Sequence, residues 1–116
     1  MKFVAKVYEP MYEFNSKKYI RFIIPPNVSG IIERMHANKF HLLTNQNINN
    51  PLDDTILTVK VPFRYRRVMC KGEGRPIQSL IKGDEVEIEV DFKGVWNVEN
   101  HSGFSWVLSS SIFSSP

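Results

Sequence analysis

The chain has 116 residues and a net charge of +3, with 42% hydrophobic and 23% charged residues. This composition is typical of one globular domain, 1–116, and excludes a wholly disordered chain, a collagen repeat and a coiled coil. No apolar run approaches the roughly 20 residues of a membrane span, and Lys6 interrupts the apolar start, so we expect neither a signal peptide nor a membrane partner. The single Cys70 fits a reducing compartment, and we expect a cytoplasmic protein.

Basic residues are concentrated in the first two thirds of the chain. Residues 1–75 contain 13 Lys and Arg against 6 Asp and Glu, whereas residues 76–116 contain 2 against 6. This segregation predicts one electropositive face and therefore a polyanionic partner. The alternative is that the basic strands simply pair with acidic neighbours.

Apolar and polar residues alternate over several segments, which predicts antiparallel strands with one buried face. The predicted strands cover residues 2–8, 18–24, 56–67, 84–92 and 104–108. Residues 75–83 begin near a Pro and end in Gly, a pattern that predicts one or two helical turns. Residues 31–43 fit either a short helix or an extra hairpin, and the Asn-rich residues 45–54 predict a loop. Residues 109–116 predict a strand end followed by a frayed tail.

The order of these elements is strand, strand, strand, short helix, strand, strand. It predicts an all-β, five-stranded OB-fold Greek-key barrel with an elaboration between strands 2 and 3. The loops between strands 1 and 2 and between strands 4 and 5 would be residues 9–17 and 93–103. A small SH3-like barrel is the main alternative, and the short helix before Asp84 favours the OB order.

Residues that support catalysis are few. The three His residues have no metal-site spacing, and one Cys cannot build a multi-Cys zinc site. The pair Asp53 and Asp54 lies in a polar loop, where acidic pairs are usually solvated. Cys70 follows Arg66 and Arg67, which would lower its pKa, but an inert, half-buried thiol is the interpretation that we favour. We expect neither an enzyme nor a cofactor.

Nucleic-acid binding has more support, because aromatic and basic residues are interleaved. A single strand requires a cationic groove for its phosphates and flat side chains on which its bases stack. Alternation places Phe22 and Phe63 in the core. The predicted stacking residues are Tyr8, Tyr12, Tyr19 and Trp96, and the predicted cationic residues are Arg21, Lys60, Arg64, Arg66, Arg67, Lys71 and Arg75.

Three points in this interpretation have structural alternatives. The aromatic residues of the first loop, Tyr8, Tyr12 and Phe14, would also serve as a lid over an open end of the barrel. Trp96 is equally suited to packing and to stacking, whereas Trp106 alternates with apolar neighbours and is predicted to be core. The acidic row must face away from the groove or pair with Lys and Arg across the sheet; it comprises Glu85, Glu87, Glu89 and Asp91.

Three short motifs resemble a known family. They are LIKGDEVEI at residues 80–88, GVW at 94–96 and SGFSWVL at 102–108. These motifs resemble the C-terminal half of small single-stranded DNA-binding proteins encoded by phages. In length and charge layout the whole chain is most similar to those of phages that infect lactic acid bacteria.

The resemblance implies an OB-fold protein that coats single-stranded DNA, with little sequence preference, during phage replication and recombination in the host cytoplasm. It also implies a homodimer or higher homo-oligomer, for which the 23–24 strand end or an unpaired barrel edge would serve, and contacts with replication or recombination proteins. Two alternatives remain open: an RNA-binding barrel, and a structural or protein-interaction module of a phage complex.

Overall fold

This computed structural model describes residues 1–113, which form ten strands, one α-helix and two 3-10 turns. The helix α1 is Pro26–Lys39, and the 3-10 turns are Phe40–Leu42 and Ile77–Ser79. The strands are β1 Lys2–Phe14, β2 Lys17–Ile23, β3 Asn47–Asn49, β4 Leu52–Asp53, β5 Ile56–Val61, β6 Phe63–Arg64, β7 Arg67–Val68, β8 Lys71–Gly74, β9 Glu85–Val98 and β10 His101–Phe113.

The five longest strands pair in a circuit that gives the sheet the shape of a barrel. Antiparallel pairing joins β9 to β1, β1 to β2, β2 to β5, and β9 to β10. A parallel bridge between Val107 and Lys60 then joins β10 to β5 and completes the circuit. The short strands β3 and β8 pair with β10, and β4 pairs with β5.

The core lies inside this circuit and follows from alternation along each strand. Phe22 and Trp106 are both buried, as the sequence predicts. The other fully buried side chains of the barrel strands are Val7, Ile20, Leu57, Val59, Val61, Val86, Ile88, Val90 and Leu108. At the 23–24 strand end Ile24 is also buried in this core, whereas Ile23 is 39% exposed; the use of this strand end in a contact between subunits stays a prediction.

Residues 31–43, which the sequence predicted as either a short helix or an extra hairpin, belong to α1 and to the 3-10 turn that follows it. Pro26 supplies a fixed φ at the first helical turn, and Val28, Ile32 and His36 recur at intervals of four on one buried face. His36 accepts a hydrogen bond of 2.9 Å from the indole N–H of Trp106 and stacks on Phe104, with ring centroids 4.0 Å apart. These contacts hold α1 against β10.

The predicted third strand, 56–67, is wrong beyond Val61. Pro62 has no N–H to continue the ladder, and the chain turns into a small hairpin of β6 and β7. The tip residues Tyr65 and Arg66 have φ of 53° and 62°. Phe63 is therefore 37% exposed instead of buried in the core. The prediction assumed that Phe63 continued the alternation of β5, but β5 ends at Val61.

The two predicted long loops, 9–17 and 93–103, are also wrong, because both segments are mostly strand. β1 continues to Phe14, and a two-residue turn with Asn15 at φ 51° and Ser16 at 65° leads directly into β2. β9 likewise continues to Val98, and only two residues separate it from the start of β10. The chain therefore has two long hairpins, which we call the β1–β2 hairpin and the β9–β10 hairpin.

The remaining segments agree with their predictions only in part. The predicted helix at 75–83 is a single 3-10 turn, although Ile77 and Leu80 are buried as its pattern indicates. The predicted loop 45–54 contains the short strands β3 and β4. β10 runs to Phe113, and the predicted frayed tail at 114–116 lies outside the described residues. No helix of the described chain has the length and apolarity needed to cross a membrane.

Candidate nucleic-acid interface

A groove of about 680 Å³ lies between the two long hairpins. Its floor is the outer face of β2 and β5, where Tyr19 and Lys60 are directly opposite each other in the ladder. Alternation forces this arrangement, since Ile20 and Val59, one position along each strand, point into the core. The core-facing pattern of two strands therefore determines which side chains the groove floor presents.

The charged side chains that line the groove are all lysines. They are Lys17 on β2, Lys60 on β5 and Lys93 on β9, and no carboxylate is among the described lining residues. None of the three ammonium groups forms a salt bridge within the described chain. Three unneutralised cations around one concave surface raise its positive potential and favour an anionic ligand.

Five aromatic side chains line the same groove; Phe104 and Trp106 are buried, and the other three are partly exposed. Phe14 comes from the β1–β2 hairpin and is 62% exposed, Tyr19 lies on the floor, and Trp96 comes from the β9–β10 hairpin. Tyr19 stacks on Tyr12, with ring centroids 5.9 Å apart, and burial raises the pKa of the Tyr12 phenol. The floor ring is therefore supported from its own strand pair before any ligand arrives.

Trp96 owes its position to a glycine on the neighbouring strand. Trp96 and Gly103 are partners in the β9–β10 ladder. A Cβ atom on Gly103 would lie 2.6 Å from Cζ2 of Trp96 and 2.7 Å from the carbonyl oxygen of Asn49. The absence of a side chain at Gly103 therefore lets the indole lie against β10 while it lines the groove.

A second cavity of about 440 Å³ continues the groove, because Lys17 and Lys60 line both. It adds Lys18, Arg64 and Arg66 to the positively charged surface, together with Phe63 and Tyr65. Its one lining carboxylate, Glu13, pairs with Lys18 at 3.2 Å. The basic surface thus extends from the β9–β10 hairpin to the β6–β7 hairpin.

Five of the predicted binding residues line these two cavities: Tyr19, Lys60, Arg64, Arg66 and Trp96. Tyr12 lines neither cavity, but it is opposite Tyr19 in the β1–β2 ladder and stacks on its ring. Tyr8 and Arg21 lie beside the groove rather than in it, with the Arg21 guanidinium 5.1 Å from the Tyr8 ring centroid and 3.5 Å from Glu9.

The other three predicted residues line neither cavity. Arg67 is opposite Arg64 in the small hairpin, and Lys71 on β8 pairs with Ser110 on β10. Arg75 donates a 2.6 Å hydrogen bond to the carbonyl oxygen of Ser79 and lies 3.7 Å from Asp84. These contacts hold the 3-10 turn, so Arg75 already has a structural partner.

None of the four residues of the acidic row lines either cavity. Glu85, Glu87 and Glu89 are opposite Lys6, Val4 and Lys2 of β1, and the Lys2 ammonium is 3.7 Å from Glu87. Among the described salt bridges only Glu87 of this row pairs with a basic residue, so the expected pairing across the sheet is met at that one position. Asp91 is opposite Val107, which itself is opposite Lys60.

Sequence reasoning did not select three residues of the groove, Phe14, Lys17 and Lys93, or Lys18 and Tyr65 of the second cavity, as binding residues. The first two flank Asn15-Ser16, and Asn before a second turn residue is a recognisable hairpin signal that would have aligned them across the turn. Lys93 sits at a register shift beside Gly94, which has φ of 100°. No local pattern places a bulged residue in a groove.

Other reactive groups lie elsewhere. Burial raises the pKa of the Cys70 thiol, the opposite of the lowering that its basic neighbours would produce. No three His, Cys, Asp or Glu residues within 1–113 are grouped as metal ligands.

Comparisons of the chain with protein-family models, with curated proteins and with solved structures found no match.

Proposed function

We propose that the protein is a non-enzymatic, single-stranded DNA-binding protein and that the groove is its binding site. The observation that carries the proposal is the lining itself, with three partly exposed aromatic rings and three unpaired lysines around one concavity. Aromatic rings stack on bases whose faces are free, and lysines neutralise phosphates without reading sequence. A duplex hides its base faces, so this lining favours a single strand.

The pairing order of the barrel supports an OB-fold assignment. The circuit β1, β2, β5, β10, β9 and back to β1 has the order expected for strands 1, 2, 3, 5 and 4 of that fold. In OB-folds, the face of strands 2 and 3 and the connections 1–2 and 4–5 bind oligonucleotides. Under this assignment α1, β3 and β4 form the elaboration between strands 2 and 3, and the groove lies on the expected face.

Binding would combine two physical contributions. Each well-stacked base contributes about 1–3 kcal/mol. The lysines release counterions from the DNA, and for a single strand the slope of log K against log salt is about −0.7 for each phosphate neutralised. Three groove lysines therefore predict a slope of about −2, with the cations of the second cavity making it steeper.

The test is a fluorescence-anisotropy titration of labelled dT oligonucleotides at several salt concentrations. We expect salt-sensitive binding that unlabelled dT displaces and the matching duplex does not. Displacement by rU at lower concentration than dT would point to an RNA-binding barrel. No binding at low salt would overturn the proposal and leave a protein-interaction module.

Substituting Gly103 by Ala tests the placement of Trp96. The new methyl group would clash with the indole and with the carbonyl oxygen of Asn49 on β3, so we expect both to shift and dT binding to weaken about fivefold or more, the loss of one stack. Anisotropy measures the affinity, and a change in tryptophan emission reports the displacement.

Gly30→Ala is the matched control, because a Cβ on Gly30 in α1 meets nothing within 4 Å. We expect it to leave binding unchanged and to stabilise the helix slightly. Unchanged affinity in Gly103→Ala, together with displaced Trp96, would show that this ring does not contact DNA.

The wider role in phage DNA replication and recombination, the protein partners and the homo-oligomer rest on the sequence resemblance and stay predictions. One structural feature bears on the oligomer: within the described residues β8 pairs only with β10. Its second edge is the barrel edge that we propose for contact between subunits.

A further inference from the structure

The β6–β7 hairpin exposes an aromatic ring at a strained turn, an arrangement that does not stabilise the hairpin itself. Its tip residue Tyr65 is 89% exposed, and both Tyr65 and Arg66 have left-handed φ. Two-residue hairpin turns with both φ positive favour Asn and Gly, and a bulky residue there is strained. Strained residues with exposed side chains cluster at ligand-binding sites, and here the exposed group is an aromatic ring.

The hairpin is also strongly cationic and continuous with the groove. Arg64 and Arg66 flank the ring and line the second cavity with it, and neither guanidinium forms a salt bridge within residues 1–113. At its base, the Lys18 ammonium lies 5.2 Å from the Phe63 ring centroid. A single DNA strand that leaves the groove past Lys17 and Lys60 would next reach these two arginines.

We propose that the β6–β7 hairpin is a second contact for the same DNA strand, in which one base stacks on Tyr65 and Arg64 and Arg66 bind the adjacent phosphates. This inference rests on the proposed function of the groove. It adds that the full site covers both cavities. A short oligonucleotide fills the groove alone, and only a longer one reaches Tyr65.

The test compares binding of dT oligonucleotides from about 4 to 16 nucleotides, the span of OB-type sites. For the wild-type protein we expect affinity to rise with length in two stages. Tyr65→Asn removes the ring and suits the left-handed turn better, so the hairpin should be retained. We expect this variant to bind the longest oligonucleotides about tenfold more weakly and the shortest ones as the wild type does.

Tyr65→Phe retains the ring and is expected to bind every length as the wild type does. Thermal unfolding of all three proteins checks that the fold is intact. Equal affinity of Tyr65→Asn and the wild type at every length would overturn the hairpin contact and leave the groove proposal standing. An equal loss at every length would also overturn a separate second contact. Failure of the wild type to bind any oligonucleotide would overturn both proposals.

Discussion

Reversing the charge of Lys60 and Lys93 together will weaken dT binding about 100-fold or more at physiological salt. Both side chains line the groove without a partner carboxylate, and each reversal replaces an attraction to phosphate by a repulsion. In a partly solvated groove, each charge reversal reduces the binding free energy by about 1–2 kcal/mol. The salt slope should also fall by about 1.4, because two phosphate contacts are lost. Anisotropy titration of Lys60→Glu/Lys93→Glu against salt measures both quantities.

The matched control reverses two cations of α1 that line neither cavity, Arg34 and Lys39. Arg34→Glu/Lys39→Glu changes the net charge by the same amount, and both positions are exposed. We expect a loss of only a few fold, since distant exposed charges are screened at this ionic strength. Equal losses in the two double variants would show that net charge, rather than the groove, determines affinity.

Acidification from pH 6.5 to pH 4 will remove up to about 3 kcal/mol of folding stability through His36 alone. Burial lowers the pKa of His36 from 6.5 to about 4. The imidazole contacts the aromatic rings of Phe92, Phe104 and Trp106. Its Nε2 accepts the hydrogen bond from the Trp106 N–H. Between these two pH values the unfolded chain binds a proton that the folded chain does not, so stability is complete above pH 6.5 and falls as pH falls.

The measurement is denaturant unfolding as a function of pH, together with an NMR titration of the His36 ring. Since carboxylates also titrate in this range, the comparison is with His36→Gln, which retains an acceptor for Trp106 and does not titrate. The difference between the two proteins should vary by about 3 kcal/mol across the window. A His36 ring that titrates near pH 6.5 would contradict the prediction.

Alternation in the sequence was sufficient to predict the buried faces of the barrel strands. Phe22, Val59 and Ile88 are in the core. Side chains two residues apart lie on the same face of a strand, so alternating apolar residues are buried together when that face packs on the core. The predicted outward position of Tyr19 follows from the same rule. The types of residue needed for a single-stranded DNA site were also visible in the sequence, including Lys60 and Trp96.

Strand ends were not predictable in the same way. The segments 9–17 and 93–103 carry Gly, Asn and aromatic residues that fit a loop, yet they pair as hairpins because each strand has an extended neighbour that satisfies its backbone groups. The opposite error occurred at 62–67, where an alternating pattern continues beyond the point at which Pro62 ends the ladder. Local pattern describes a strand's faces, whereas its length depends on the partner.

The sequence by itself therefore determined the mostly-β class of the fold, the buried faces of the barrel strands and the residue types of the candidate site. Only the tertiary structure decided that Tyr19, Lys60 and Trp96 share one groove, that Gly103 seats the indole, and that Arg75 is bound to the 3-10 turn instead. The reason is that a strand's periodicity specifies an inner and an outer face but no neighbour. Neighbours and register are set by the non-local pairing that closes the barrel around its core, and the site exists only where that closure brings the two hairpins together.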